Sequence, residues 1–175
     1  MDGGRPTAPI AAVAVDAFTI PTDAPESDGT LEWDSTTLVL ARIDAAGRRG
    51  LGYSYADTAT ATLIRDKLAP LLMGRDAWSV NARWIDMVRA IRNLGRPGIC
   101  SMAISALDTA LWDLKAKLLG VSLADLLGMA RESIVAYGSG GFTSYSTDRL
   151  RAQLGGWARE GLGAVKMKVG RDAAA

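Results

Sequence analysis

The sequence predicts an α+β protein in two parts: a small antiparallel sheet followed by helices, then the opening of a parallel α/β unit. Three features of its 175 residues carry that prediction. Short β-rich runs separated by turn residues come first. Apolar residues at helical spacing follow, as far as Leu118. Past residue 130 the order becomes strand, glycine-rich loop, helix and strand, which makes one βαβ unit with parallel strands.

Taken in order, residues 10–20 alternate loosely, are rich in Val and Ala, and break at Pro21. Residues 22–34 collect Pro, Asp, Ser and Gly and are expected to form a loop. Residues 36–43 predict a strand, 44–47 a turn, and 50–55 the returning strand of a hairpin. Asp57 or Thr58 can cap a helix carrying Leu63, Ile64, Leu68, Leu71 and Leu72, with Pro70 weakening its last turn before Gly74. Ser79 can cap the next, whose apolar face is Trp84, Met87, Val88, Ile91 and Leu94. In the third, Ser101 is placed as the cap, and Ile104, Leu107, Leu111, Leu114 and Leu118 keep the helical period before Gly120. Asp113 and Lys117 form an i,i+4 pair there. Ala110 and Trp112 widen its apolar face, so burial against two neighbours is expected. A short further turn is expected over 122–127. Residues 134–137 predict a strand ending in Gly138-Ser139-Gly140-Gly141. Thr147 can cap a helix with Leu150, Leu154 and Trp157, and residues 163–170 predict the second strand.

Composition narrows the chemistry. Apolar residues make up 49% and charged residues 22%, which suits a globular chain and not a disordered one. Twenty Lys and Arg against nineteen Asp and Glu leave +1, so no basic field exists to hold nucleic acid or an anionic membrane. No stretch is long and apolar enough for a membrane helix, and residues 1–6 lack the pattern of a signal peptide, which points to the cytoplasm. Cys100 stands alone, excluding a disulfide framework and a Cys-based zinc site, and is expected to be a small core residue. Without histidine, imidazole-based mechanisms are excluded within this sequence. The expected division is an α+β domain over 1–130 and the start of a second domain over 131–175. One βαβ unit cannot bury both faces of a sheet, and a (β/α)₈ barrel takes about 250 residues. The sequence therefore looks like part of a larger fold.

Lys166 and Lys168 carry the sharpest chemical pattern. On a strand they share one face, with Val165, Met167 and Val169 on the other. Five basic residues are lysine and the rest arginine, although arginine would serve any plain need for positive charge. Two amines on one enclosed face each make the other easier to deprotonate, the condition for a basic catalyst. Two such lysines also solubilise the outer face of an edge strand, and spacing alone does not say which side is inside. Gly138-Ser139-Gly140-Gly141 can offer backbone amides to a phosphate or carboxylate. It lacks P-loop and GxGxxG spacing, and a permissive βα loop is the simpler reading. Ser139 has no base beside it and is not read as a nucleophile. Asp108 is expected to make a structural cap-to-core hydrogen bond, and the five tryptophans are expected to pack.

Taken together, Gly50-Leu-Gly-Tyr-Ser-Tyr55, Ser101-Met-Ala-Ile-Ser-Ala-Leu-Asp-Thr-Ala-Leu-Trp-Asp-Leu-Lys-Ala-Lys117, Tyr137-Gly-Ser139 and Val165-Lys-Met-Lys-Val-Gly170 resemble the enolase superfamily. The branch they are similar to is that of mandelate racemase and muconate lactonizing enzyme. The resemblance implies an α+β capping domain followed by the first strands of a modified (β/α)₈ (TIM-like) barrel, incomplete in this chain. It implies Lys168 as the base that removes a proton α to a carboxylate. Lys166 would be the neighbour that eases its deprotonation and faces the substrate carboxylate. Ser139 would hydrogen-bond substrate. The loops 22–34 and 53–58, with Tyr53 and Tyr55, would close over the site and set specificity. A small carboxylate or acid-sugar substrate is implied, with a racemase, epimerase, cycloisomerase or dehydratase as the reaction class and a homo-oligomer as the complete form. Mg²⁺ is implied as cofactor, on carboxylates ending barrel strands that this sequence does not reach, so the chain alone is expected to be inactive. The alternative from another class is a non-catalytic remnant or interaction module that lacks the metal site.

Overall fold

The computed structural model describes residues 6–170. The leader expectation for residues 1–5 and the stretch 171–175 after the second strand lie outside the described residues. The chain forms two compact units, one of Met1–Thr19 with Thr37–Met129, the other of Ile20–Thr36 with Ala130–Ala175.

A three-stranded sheet has the order β1 (Ile10–Ser27), β2 (Glu32–Ala45), β3 (Arg48–Tyr55). β2 and β3 are antiparallel, in a register that sets Ala45 opposite Arg48 and Ala41 opposite Gly52. Ala46 and Gly47, both at positive φ, make the two-residue turn that matches strand twist. The expected break at Pro21 and loop over 22–34 are corrected: β1 runs through Pro21 to Ser27, and β2 already begins at Glu32. β1 is an edge strand, where a missing N–H costs no ladder bond. The residual turn is closed by Asp28, whose Oδ1 accepts from the Thr30 N–H, the Thr30 hydroxyl and the Leu31 N–H.

In the first unit, α4 (Ile99–Leu119) lies against β3. Its Ile104, Leu107, Leu111 and Leu114 are buried, as is Cys100, and Leu118 packs at the edge of the core. The contact depends on glycine. A Cβ on Gly50 would collide with the Ala110 carbonyl oxygen, and one on Gly52 with that of Ala106. Val39, Ala41 and Ile43 of β2 line the same core. On its other sides α4 meets α1 (Thr58–Leu63) and α3 (Val80–Ala90), as the wide apolar face predicts. Asp57 caps α1 by accepting from the Ala59 N–H at 2.8 Å. That helix is not continuous: a π turn over Ile64–Leu68 precedes α2 (Ala69–Leu72), widening the backbone just ahead of the Pro70 ring. Ser79 occupies the N-cap position of α3 without bonding to that helix by its side chain. Leu94 is corrected from a core to an exposed position, because α3 ends at Ala90. Ser101 is not the cap of α4 either. Gly98, at φ 75°, holds that position, and the Ser101 hydroxyl donates to the Arg96 carbonyl. The Asp113–Lys117 pair forms at 2.6 Å, and Asp113 also accepts from the Leu51 N–H of β3. Gly120 closes α4 in the left-handed conformation, and Ser122 caps α5 (Leu123–Leu127). Among the described residues, no helix is long and apolar enough to cross a membrane.

In the second unit, β4 (Gly138–Ser139) and β5 (Val165–Lys166) pair in parallel around α6 (Thr147–Arg159). Both strands are shorter than expected. Ile134, Val135 and Tyr137 are exposed and outside the ladder, which starts only where β5 supplies a partner. Residues 167–170 likewise leave the regular ladder. The cap of α6 is Ser146, whose Oγ accepts from the Arg149 N–H, not Thr147. This short parallel sheet closes no barrel among the described residues.

Asp108 makes none of the hydrogen bonds expected of it. It is half-buried in α4, and desolvation raises its carboxyl above the usual range. A raised acid is neutral by preference in the folded state, so ionisation costs stability as pH climbs from the unfolded value through the folded one. Asp108→Asn is expected to raise the unfolding midpoint at pH 7, by less than about 1 kcal/mol because solvent screens the group. At pH 3 the gain should be absent, and an equal gain at both pH values in thermal unfolding would contradict the cause. Gly52→Ala drives a methyl into helix backbone and is expected to cost about 3 kcal/mol or more in urea unfolding. Gly156→Ala in α6, where a Cβ meets open space, should be neutral or stabilising by up to about 1 kcal/mol.

Candidate active site

Which face of the parallel sheet carries which side chains is decided by α6. A Cβ on Gly138 would enter the Trp157 ring, and one on Gly140 would meet Trp157 and Gln153. These two positions therefore face the helix, and Ser139 between them faces away. The register pairs Gly138 with Val165 and Ser139 with Lys166, so Val165 takes the helix side and Lys166 shares the face of Ser139. Met167 returns to the helix side, its Cβ against Gly141 near Leu150 of α6. By the same alternation Lys168 joins Lys166. Spacing left the face of the lysine pair open, and Trp157 settles it.

Lys166 and Ser139 are exposed on that face, and Lys168 is half-buried. The Lys168 backbone is fixed by its N–H to the Gly141 carbonyl at 2.8 Å. The glycine loop behaves as the permissive βα loop and not as an anion cradle. The Gly138 N–H bonds the Ala164 carbonyl, that of Gly140 the Lys166 carbonyl, and that of Gly141 the Gln153 Oε1. These amides are spent on sheet and helix packing.

The tip of the β1–β2 hairpin belongs to the same unit and rests on the loop that follows β4. The Thr143 N–H donates to the Ser27 carbonyl at 2.9 Å, and the two hydroxyls of that pair are 2.6 Å apart. The Thr143 hydroxyl also reaches the Asp28 carbonyl at 3.3 Å. Ser144 donates to the Pro25 carbonyl at 2.7 Å. Trp33 meets Phe142 edge to face at 5.5 Å, and Phe142 meets Tyr145 at 5.4 Å. Glu26 accepts from the Trp33 indole at 2.9 Å and from the Tyr145 hydroxyl. The Arg149 guanidinium lies over the Tyr145 ring. Asp28 is held at about 2, chiefly by the Thr30 hydroxyl and then by the Leu31 and Thr30 amides, with a smaller contribution from the charge of Lys168.

Of the five residues singled out in the sequence, Ser139, Lys166 and Lys168 come together in the second unit. Tyr53 and Tyr55 stand in the first, exposed on the face of β3 opposite the glycines that meet α4. Asp28, Glu26 and the Trp33–Phe142–Tyr145 cluster were not singled out. A legible trace existed in Asp28-Gly-Thr-Leu, a turn sequence between β-prone runs. Among the described residues, no group of three or more His, Cys, Asp and Glu side chains is placed to hold a metal ion.

Residues 14–128 match the family model described as the mandelate racemase/muconate lactonizing enzyme N-terminal domain. The L-talarate/galactarate dehydratase of Salmonella typhimurium is 34% identical over 139 residues, which are 77% of this chain and 35% of that enzyme. A mandelate racemase/muconate lactonizing enzyme-like protein from Rubrobacter xylanophilus superposes with a TM-score of 0.91 at 54% identity, covering 95% of this chain and 46% of that one. A racemase from Streptomyces coelicolor, solved with bound magnesium, follows at 0.87 and 33% identity over 93% of this chain and 47% of its own. The chain thus spans between a third and a half of the length of these relatives. With the domain match covering most of its length and the fold agreeing beyond it, the chain belongs to the mandelate racemase/muconate lactonizing enzyme family.

Proposed function

We propose that this chain supplies the N-terminal part of an enzyme that abstracts a proton α to a carboxylate, as a racemase or epimerase or as an acid-sugar dehydratase. The observation that carries the reading is the shared face of Ser139, Lys166 and Lys168, turned away from the only helix that covers this sheet among the described residues. An edge strand that merely needed solubilising would have no cause to fix a hydroxyl in register with the first lysine.

In this reading the neutral amine of Lys168 takes the α-proton, and the electron pair left on carbon spreads into the adjoining carboxylate. Lys166, two residues away on the same face, presents its ammonium to that carboxylate and counters the growing charge. The Ser139 hydroxyl donates a hydrogen bond to substrate. Tyr53 and Tyr55 are proposed to contact substrate from the capping domain, here taken as residues 1–130 with the barrel beginning in 131–175. The magnesium of the Streptomyces relative belongs to that protein. The described residues here do not make a site for it, and no step above runs through it. For the whole protein Mg²⁺ is proposed as cofactor on ligands from elsewhere, with a homo-oligomer as the complete form and the cytoplasm as its place.

Lys168→Ala, in a full-length protein carrying this chain as its N-terminal part, is expected to lower α-proton exchange with solvent deuterium by at least about 10³-fold. Circular dichroism and the unfolding midpoint should stay near wild type. Exchange at the wild-type rate would remove Lys168 from the reaction.

A further inference from the structure

The bond that carries the Lys168 backbone is out of step with the ladder before it. Gly138 donates to the Ala164 carbonyl and Gly140 to the Lys166 carbonyl, the even spacing of a parallel pair that sets Ser139 opposite Lys166. Continued by two residues, that spacing would bring the Lys168 N–H to the Gly140 carbonyl. It goes instead to the Gly141 carbonyl at 2.8 Å, so the β4 side carries one residue more than the β5 side. This is a bulge, and its extra residue is a glycine at φ 62°, so close to β5 that a Cβ there would strike that of Met167. A bulge adds local twist and re-aims the side chains beside it. The side chain beside this one is the amine proposed to take the α-proton.

Glycine does not hold such a conformation by itself, since without a Cβ it samples both signs of φ. What holds Gly141 is a side chain of α6. The Gln153 Oε1 accepts from the Gly141 N–H at 2.9 Å. That amide is itself located: a Cβ on Gly140 would meet Oε1 at 2.6 Å and the Trp157 ring at 2.8 Å, so Gln153 lies against a bare Cα beside the indole. The contacts then run in series, from Gln153 Oε1 to the Gly141 N–H, and from the Gly141 carbonyl to the Lys168 N–H. Gln153 lies on the helix side of the sheet and reaches the lysine face only through this backbone.

We propose that Gln153 is a positioning residue for proton abstraction: by fixing the Gly141 bulge it sets the place from which Lys168 reaches the α-proton. This rests on the proton-abstraction reading above and gives α6 a part in it. Alignment of reacting groups is sensitive to small displacements, and an error of about 1 Å costs up to about 10²-fold in rate. A residue that only packed against Gly140 would be replaced without loss by an unbranched side chain of the same length.

The test uses a full-length protein carrying this chain as its N-terminal part. Its probe is the acid sugar whose α-proton the wild type exchanges fastest among a panel of aldonates and aldarates. Gln153→Met keeps the length and helix propensity of the side chain and removes the acceptor. Gln153→Asn holds the amide one methylene short of Gly141, and Gln153→Glu keeps an acceptor in reach. The expected result is a kcat for α-deuterium incorporation about ten- to a hundredfold lower in Gln153→Met and Gln153→Asn, with KM within about twofold of wild type. Gln153→Glu should recover kcat to within about threefold. Hydrogen exchange of the Lys168 amide, followed by NMR, should quicken in the first two variants and not in the third. Wild-type kcat in both Gln153→Met and Gln153→Asn, a loss that Gln153→Glu shares in full, a loss confined to KM, or an unchanged Lys168 amide overturns the inference while the proton-abstraction reading stands. No exchange with any member of the panel, or exchange that survives Lys168→Ala, overturns the reading and this inference together.

Discussion

The close approach of a helix to a strand stripped of side chains is the constraint on which both units depend. In the first, Gly50 and Gly52 let the backbone of α4 rest directly on β3, and the buried leucines of the helix fill the space around that contact. In the second, Gly138 and Gly140 admit the Trp157 ring against β4. Interiors pack to crystalline density, so a methyl group at such a point has nowhere to go. The second contact does more than stabilise. By occupying one face of the strand it dictates the direction of Ser139 and, through the register, of Lys166, while Lys168 lies past the ladder with its N–H on the Gly141 carbonyl.

The first unit was largely legible because α4 announces itself. Its apolar residues keep the helical period for five contacts, and its end is marked by a glycine. The errors lie where local chemistry competes with context. Pro21 and the polar residues after it have the composition of a loop, yet an edge strand tolerates both, and the hairpin runs on to Ser27. Ser101 has the chemistry of a cap, but Gly98 adopts the positive φ at which the chain enters α4. Ile134 and Val135 have strand propensity without a partner to pair with, and propensity without pairing makes no strand.

The candidate site was legible as a spacing and illegible as a place. Lys-x-Lys states that two amines share a face but not which face, because that depends on Trp157, eleven residues downstream of the helix cap. Nor does any periodicity connect Asp28 to Lys168, which are brought to the same strip of chain by the hydrogen bonds of Ser27 and Thr143. Contacts of that kind are made by single polar groups at loop ends, where sequence carries least information about partners. Charged groups gather at that edge all the same: Asp28 is held as an anion on the hairpin, and Glu26 accepts hydrogen bonds from an indole and a phenol.

The orientation of β4 and β5 relative to α6 is the point from which the rest is argued, and nuclear Overhauser contacts from the Trp157 ring test it most directly. The account predicts contacts to the α-protons of Gly138 and Gly140 and none to the side-chain methylenes of Lys166 or Lys168. Contacts from the indole to either lysine side chain would place the amines on the helix side and contradict the account at its root.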